Sequence, residues 1–557
     1  MNQMKTKGLF QKFVITVFVL FLICQIVFIS IYSYPSQQAV YSYIPSENDT
    51  DIEDIKIEKQ EKRKGKSGDF VYITDNSEKA KLKSYARIQH LEISNVDAST
   101  IQDISGLEVN NLILNNASQF DISNINCKRL KTLSITNTKV SNIQKLCDSP
   151  SFVSLTISGV DSENNDFLKG FKNLTYLSLS DIHFKDASFL KDMKNLEILY
   201  MENCGLSNIT YVANLKNIKE LNLCNNNIID ISVIKNFPEL TYLSISQNKI
   251  QGTLDLSNCP KLLYADAQSN LINEFKLHKD ISANIDLSYN NIKEIDINTI
   301  NNMNSELRID LFGNNLSDNP EIKNSKNITF TSKSTLELTY DEHRAYLNAL
   351  NHFNNKYIRP EWSDIKKAAI AYIALSLNTK YLYDYKNTDL AETKYAHSEY
   401  GALVNKTAVC DGFSYAYSDI LRRNGIESMV YYGDYDSTTD DETHAWNVFY
   451  IDSKPYHCDI TQRVGKISEE IYYDTNKFFE DYMKFFGKSD KFLLDNKYTL
   501  DSKDAPKCPE NISASAISNI IYEIVNGEEL YLFVNKDDYN AKKSSYESDV
   551  RTEEKNE

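Results

Sequence analysis

The chain has 557 residues, 41% of them hydrophobic and 25% charged, the composition of folded protein and too long for one compact core. Its net charge of −16, with no sustained basic face, excludes a nucleic-acid partner. Nine scattered cysteines, odd in number, are not a disulfide framework. With no CxxC pair and no HExxH, the sequence calls for neither a metal nor a cofactor.

Residues 1–34 open the chain with Lys5, Lys7 and Lys12, followed by the uncharged run Phe13–Tyr32. Twenty apolar residues span a bilayer as a helix, and lysines on one side place the N-terminus in the cytoplasm and everything later outside. The alternative is a long cleaved signal peptide and a secreted product. Residues 35–84 are polar and charged and read as a flexible linker or stalk.

Residues 85–330 repeat. The segments beginning at Leu130, Phe152, Leu174, Leu196, Ile218, Leu240 and Leu262 follow one another at intervals of 22. Related turns on either side bring the total to about eleven coils. In the pattern L-x-x-L-x-L-x-x-N, the apolar residues two apart point to one side of a short strand, and successive strands form a parallel sheet on the concave face. Asn226, Asn248, Asn270, Asn290 and Asn314 recur where a buried amide satisfies backbone groups at the bend. Cys204 fills that slot one coil earlier and Cys224 follows a core leucine, so both read as structural. The period and the motif NNNIIDISVIKNFPEL resemble internalin-type leucine-rich repeats. That resemblance implies a solenoid whose concave face binds a surface protein or polymer, or else a passive spacer.

At Thr331 the period stops, and residues 331–510 read as a second domain. Ser363–Tyr383 has helical spacing, with Ser363 as cap. In TAVCDGFSYAYSDILRRNGI, Cys410 stands at the start of another helix, ended at Gly425. The helix dipole there favours negative charge on sulfur. MVYYGDY, HAWNVFYID and KPYHCDIT read as strands, the last two a hairpin turning at residues 452–455. His444 and Asp459 then fall nearly opposite each other, within reach of a carboxylate–imidazole hydrogen bond. The chemistry this suggests has Cys410 as nucleophile, His444 as base and then acid, and Asp459 fixing the imidazole. The Cys410 backbone N–H is one oxyanion donor, and the sequence identifies no second.

VCDGFSYAYSDILRRNGI, HAWNVFYID and PYHCDIT, in that order, resemble the transglutaminase-like (papain-like cysteine) superfamily over about residues 340–495. The resemblance implies an α+β papain-like domain and carries the same roles to Cys410, His444 and Asp459. It implies a protein or peptide substrate and acyl transfer from an amide, to water (protease or amidase) or to an amine (transglutaminase). A catalytically inactive interaction module is the alternative. Gln462 stands where the family often has Trp. His457 and Trp446 read as packing residues, and Cys458 and Cys508 as a conceivable disulfide. In residues 511–557, Asn526–Gly527 between two β-rich runs signals a hairpin, followed by a disordered tail.

Overall fold

The computed structural model describes residues 64–98, 104, 106–160, 166–184, 186–304, 306–383, 393–435, 443–464, 468–500 and 506–553. Two compact units meet in sequence between Phe330 and Thr331. The apolar run Phe13–Tyr32 and the linker up to residue 63 lie outside the described residues. Among the described residues no helix is long and apolar enough to cross a membrane.

In the repeat unit, thirteen parallel strands from Lys66–Ile73 to Ile328–Thr329 make one sheet. Its register sets Leu155, Leu177, Leu199, Leu221 and Leu243 side by side in the core. Short helical turns such as Thr210–Asn214 and Ser232–Asn236 return the chain. These turns are only five residues long, which keeps the period near 22.

The sheet starts earlier than expected. Lys66–Ile73, inside the stretch read as linker, pairs with Tyr85–Ser94, and Asn76–Ser84 coils between them. Val71, Ile73 and Leu82 are buried there and close the end of the core. Only these three residues of the stretch reach the core, too few to set up a period.

Two ladders stitch the coils together. The predicted asparagines are buried, and each side chain bridges to the preceding coil. Asn248 donates to Leu223 O at 2.9 Å and accepts from Ile228 N at 3.0 Å, and Asn226, Asn270, Asn290 and Asn314 repeat the arrangement. The second ladder is backbone. After each strand one residue turns left-handed: Asn116, Asn137, Gly159, Asp181, Asn203 and Asn225, continuing to Gly313. Asn and Asp tolerate this conformation better than other non-glycine residues. Their N–H groups reach the next coil, as in Asn137 N to Ser158 O at 3.0 Å and Asn203 N to Cys224 O at 3.3 Å. At Gly159 a Cβ would lie 2.0 Å from Asn137 Oδ1, so that side chain would have to move to admit one.

Replacing Asn248 by Ala removes both halves of one rung and leaves buried backbone groups without partners. Urea denaturation of the full chain should show the repeat unit losing on the order of 3 kcal/mol. A loss below about 0.5 kcal/mol would show that the rung is dispensable.

The second unit combines helices with a small antiparallel sheet, the α+β arrangement expected. Helices α1 (Tyr340–Tyr357), α2 (Asp364–Asn378) and α3 (Cys410–Arg423) precede strands β1 (Ser428–Asp434), β2 (Thr443–Ile451), β3 (Lys454–Cys458) and β4 (Phe486–Lys488). The strands pair in sequence order. Ser363 precedes α2 but makes no side-chain capping bond, and α2 ends at Asn378 rather than Tyr383. The β2–β3 hairpin turns through Asp452 and Ser453, both with positive φ, the twist that matches paired strands.

Where a hairpin and a disordered tail were expected, the described residues up to 553 form helices instead. Ala514–Asn526 is a helix, capped by Ser513 on Ala516 N, and Lys536–Glu553 is another. Ile517, Ile520, Ile521 and Ile524 recur at helical intervals, and the last three are buried. That period outweighs the Asn526–Gly527 turn signal, and Gly527 serves instead as the helix stop. These helices belong to the domain: Lys366 of α2 pairs with Glu523 and Glu529, and Thr475 bonds Tyr539.

Candidate active site

Cys410 is the first residue of α3 and half-buried. The loop before it runs close over the helix start, where Val409 N donates to Ala396 O at 3.0 Å. This explains the glycine two positions on. A Cβ on Gly412 would sit 2.4 Å from Ala396 O. Tyr381 is brought to the same place because Lys380–Tyr381 pairs with Thr407–Ala408. Its phenol lies beside Cys410, near both the thiol and the backbone N–H.

Helix and sheet are locked together by Asn447 on β2. Its amide, 1% exposed, donates to Ser414 O at 2.9 Å and to Ser418 Oγ at 3.0 Å on α3. The bond fixes the height of β2 against the helix, and His444 lies three residues back on the same strand.

His444 Nε2 lies 2.7 Å from Asp459 Oδ2. With Nε2 so engaged, Nδ1 is the nitrogen left for the Cys410 thiol, which lies beside this ring. His444 and Asp459 do not face each other across the hairpin as the spacing suggested. The ladder pairs Asn447 with Cys458 and then stops. Asp459 instead begins a short turn, Ile460–Arg463, whose Thr461 N it caps at 2.9 Å. The bend swings its carboxylate back to His444.

Asp459 is fully buried, and its charge is met on every side. Besides His444 it accepts from Thr461 Oγ1 at 2.6 Å, Gln462 Nε2 at 3.2 Å and Tyr498 Oη at 2.6 Å. Burial pulls its carboxyl upward, but the His444 charge and these hydrogen bonds hold it below the ordinary carboxylate range. Burial likewise opposes a charge on His444, yet the neighbouring Asp459 carboxylate wins and pushes the imidazole up to about 10. Gln462, the departure noted in the sequence, is therefore a donor to the acid. Tyr381 and Tyr498 were missed. Tyr498 acts 39 positions beyond Asp459, from DNKYTL, which carries no recognisable motif.

His457 takes no part in this cluster. Trp446 Nε1 donates to its Nδ1 at 3.1 Å, so its Nε2 carries the hydrogen shared with Asp490 at 2.9 Å. Asp490 and Cys508 approach it closely enough to suggest metal ligation. With both ring nitrogens engaged, however, His457 has no lone pair to offer an ion. Trp446 stacks on His444 with ring centres 6.0 Å apart. Cys458 and Cys508 are both free and buried. Cys508 packs with Trp446 and Tyr498, whereas Cys458 lies beside the Tyr417 phenol, and no disulfide joins them. At the site's edge, His397 pairs with Asp411 at 2.8 Å, which raises its proton affinity.

Residues 351–460 match the transglutaminase-like superfamily. The domain is transglutaminase-like. The matched segment contains Cys410, His444 and Asp459, and leaves Tyr498 and the last two helices of the transglutaminase-like domain outside it. For the repeat unit, an internalin from Listeria monocytogenes is 22% identical over 45% of this chain and 87% of its own, with a TM-score of 0.33. An internalin C2 from the same organism is 23% identical over 36% and 79%, at 0.26. The plant peptide hormone receptor RGFR1, solved in complex with RGF2, is 18% identical over 48% and 46%, at 0.36. No curated protein matches the chain.

The pH dependence of stability follows from His444. Its value of about 10 in the fold lies above the ordinary imidazole value near 6.5, so the native state holds this proton more tightly than the unfolded chain. The resulting stabilisation is fully present below about pH 6.5 and is lost as pH rises through about 10. Thermal melts should therefore show wild type losing its advantage over His444→Asn across that window. A constant gap between the two would contradict the assignment.

Proposed function

We propose that the chain is a thiol acyl-transfer enzyme of the transglutaminase-like type acting on peptide or side-chain amide bonds, anchored in the membrane by Phe13–Tyr32 with its bulk extracytoplasmic. The repeat sheet binds a protein or surface partner. One observation carries the enzymatic reading: a buried, fully hydrogen-bonded Asp459 holds His444 Nε2 at 2.7 Å, which leaves Nδ1 for the thiol.

In the proposed mechanism, the proton shared by the two groups rests on His444 Nδ1, as the raised proton affinity of the imidazole requires, and Cys410 attacks the amide carbon as the thiolate. The carbonyl π electrons move onto oxygen, where the Cys410 N–H and the Tyr381 O–H can donate to the oxyanion. As the carbonyl re-forms, the C–N bond breaks and the His444 Nδ1 proton goes to the departing amine, leaving a thioester on Cys410. His444 then takes a proton from water or from an amine, which attacks the thioester, and the C–S bond breaks to release the thiolate and restore the starting pair. Asp459 stays ionised throughout and stabilises the imidazolium. In this reading Tyr381 supplies the second oxyanion donor.

Purified full-length protein should react with a thiol-directed acyl probe at neutral pH, and Cys410→Ala should not. Equal labelling of the two would sink the enzymatic reading. Intact cells given a membrane-impermeant form of the probe test the topology, because a cytoplasmic site would label only after lysis. Hydrolysis against amine incorporation, measured on a glutamine-containing protein with and without a primary amine, separates the two acceptors.

Tyr381→Phe removes the phenolic donor while keeping the ring. It should lower kcat by about 10²-fold with KM little changed. Unchanged turnover would assign the oxyanion to other donors.

A further inference from the structure

The open face of the repeat sheet changes character along its length. Around Thr132–Thr136 and Ser154–Ser158 the residues facing away from the core are small hydroxyls. From Tyr176–Ser180 onward rings and carboxylates join them. Tyr176 and Tyr200 meet edge to face at 5.9 Å, and Tyr242 and Tyr264, partners in register on adjacent strands, stack at 5.4 Å. The Tyr200 hydroxyl donates to Glu220.

Next to the stacked pair, Asp266, Asp286 and Asp310 occupy matching positions on three consecutive strands. Neighbouring strands are about 4.8 Å apart, so three carboxylates share one row. Asp266 accepts hydrogen bonds from Ser246 and Gln268, and Asp286 from Ser288 N at 2.8 Å. Neither has an ion pair among the described residues. Burial, and then the charge of Asp266, push Asp286 up to about 7. Between Tyr176 and Phe312 this face carries Glu202, Glu220 and the three aspartates against one cation, Arg308. Lysines beside the sheet are already committed, Lys219 to Glu197 and Lys261 to Glu239. Like charges in adjacent rungs destabilise a sheet, so the row works against the fold. A ligand cation would relieve that repulsion, and the stacked rings beside it offer the faces a cation prefers.

We propose that this half of the sheet is a docking face for a lysine- and arginine-rich polypeptide segment of a partner. The segment's charged ends pair with Asp266 and Asp286, and its aliphatic stems lie over Tyr242 and Tyr264. The proposal rests on the reading of the repeat sheet as the partner-binding surface and supplies the partner's chemistry.

Fluorescence anisotropy of a labelled octalysine peptide with the full chain tests it, with octaglutamate as the control. Wild type should bind octalysine, more weakly as salt rises, and leave octaglutamate free. Asp266→Asn with Asp286→Asn should weaken binding by about tenfold or more, and Tyr264→Ala several-fold. The double Asn variant should melt no lower than wild type, because it removes a like-charge contact; if it does unfold, Tyr264→Ala alone decides. Cys410→Ala should bind as wild type does, which keeps this result independent of whether the thiol site is active. Octalysine affinity unchanged by the sheet substitutions, or octaglutamate binding equally well, would overturn the assignment.

Discussion

A carboxylate with no access to water organises the transglutaminase-like domain. Asp459 keeps its charge only because donors surround it, and those donors come from separate parts of the chain: His444 from β2, Thr461 and Gln462 from the turn after β3, Tyr498 from the loop beyond β4. Removing a partner from a buried charge costs far more than forming the pair gains. The hairpin, the turn and the late loop are therefore held to one geometry by a single side chain. Tyr372 of α2 adds a bond to the Asp459 carbonyl at 3.0 Å, so the helical layer is tied to the same point.

Two of the domain's histidine–aspartate pairs lie on either side of Trp446, and the nitrogens distinguish them. In His457 both ring nitrogens are engaged by structural partners, Trp446 and Asp490. In His444 one nitrogen is held by Asp459, which leaves the other for the thiol beside the ring. Trp446 separates the two rings, and its N–H points away from the reactive one. A histidine's chemistry is set here by which of its nitrogens is left open, a property that sequence spacing alone does not encode.

Much of this was legible in the sequence where local pattern and tertiary role coincide. The 22-residue period, the core leucines and the buried asparagines are repeated many times, so each position is read against its equivalents. Cys410, His444 and Asp459 stood out because each lies in a short ordered motif. What escaped detection depends on contacts without a local signature. Tyr498 reaches Asp459 from a distant loop, and Tyr381 reaches Cys410 through a two-residue strand pairing. The exact register also escaped, since the chain bends at Asp459 where alternation predicted a straight strand. The C-terminal helices were misread because a strong dipeptide signal, Asn526–Gly527, competed with a helical period that only burial could confirm.

The left-handed residue that follows each strand gives the solenoid a direction. Its backbone N–H always reaches forward to the coil ahead, from Asn116 N to Thr136 O through to Tyr289 N to Phe312 O. Asparagine side chains reach the other way, to the coil behind. Cutting the array between coils would thus expose chemically different ends: dangling donors on one stump, unanswered amides on the other. Such an array has a head and a tail, like a zip, and each end calls for its own closure. At the head that closure is the strand Lys66–Ile73, and at the tail Ile328–Thr329 pairs the last full rung.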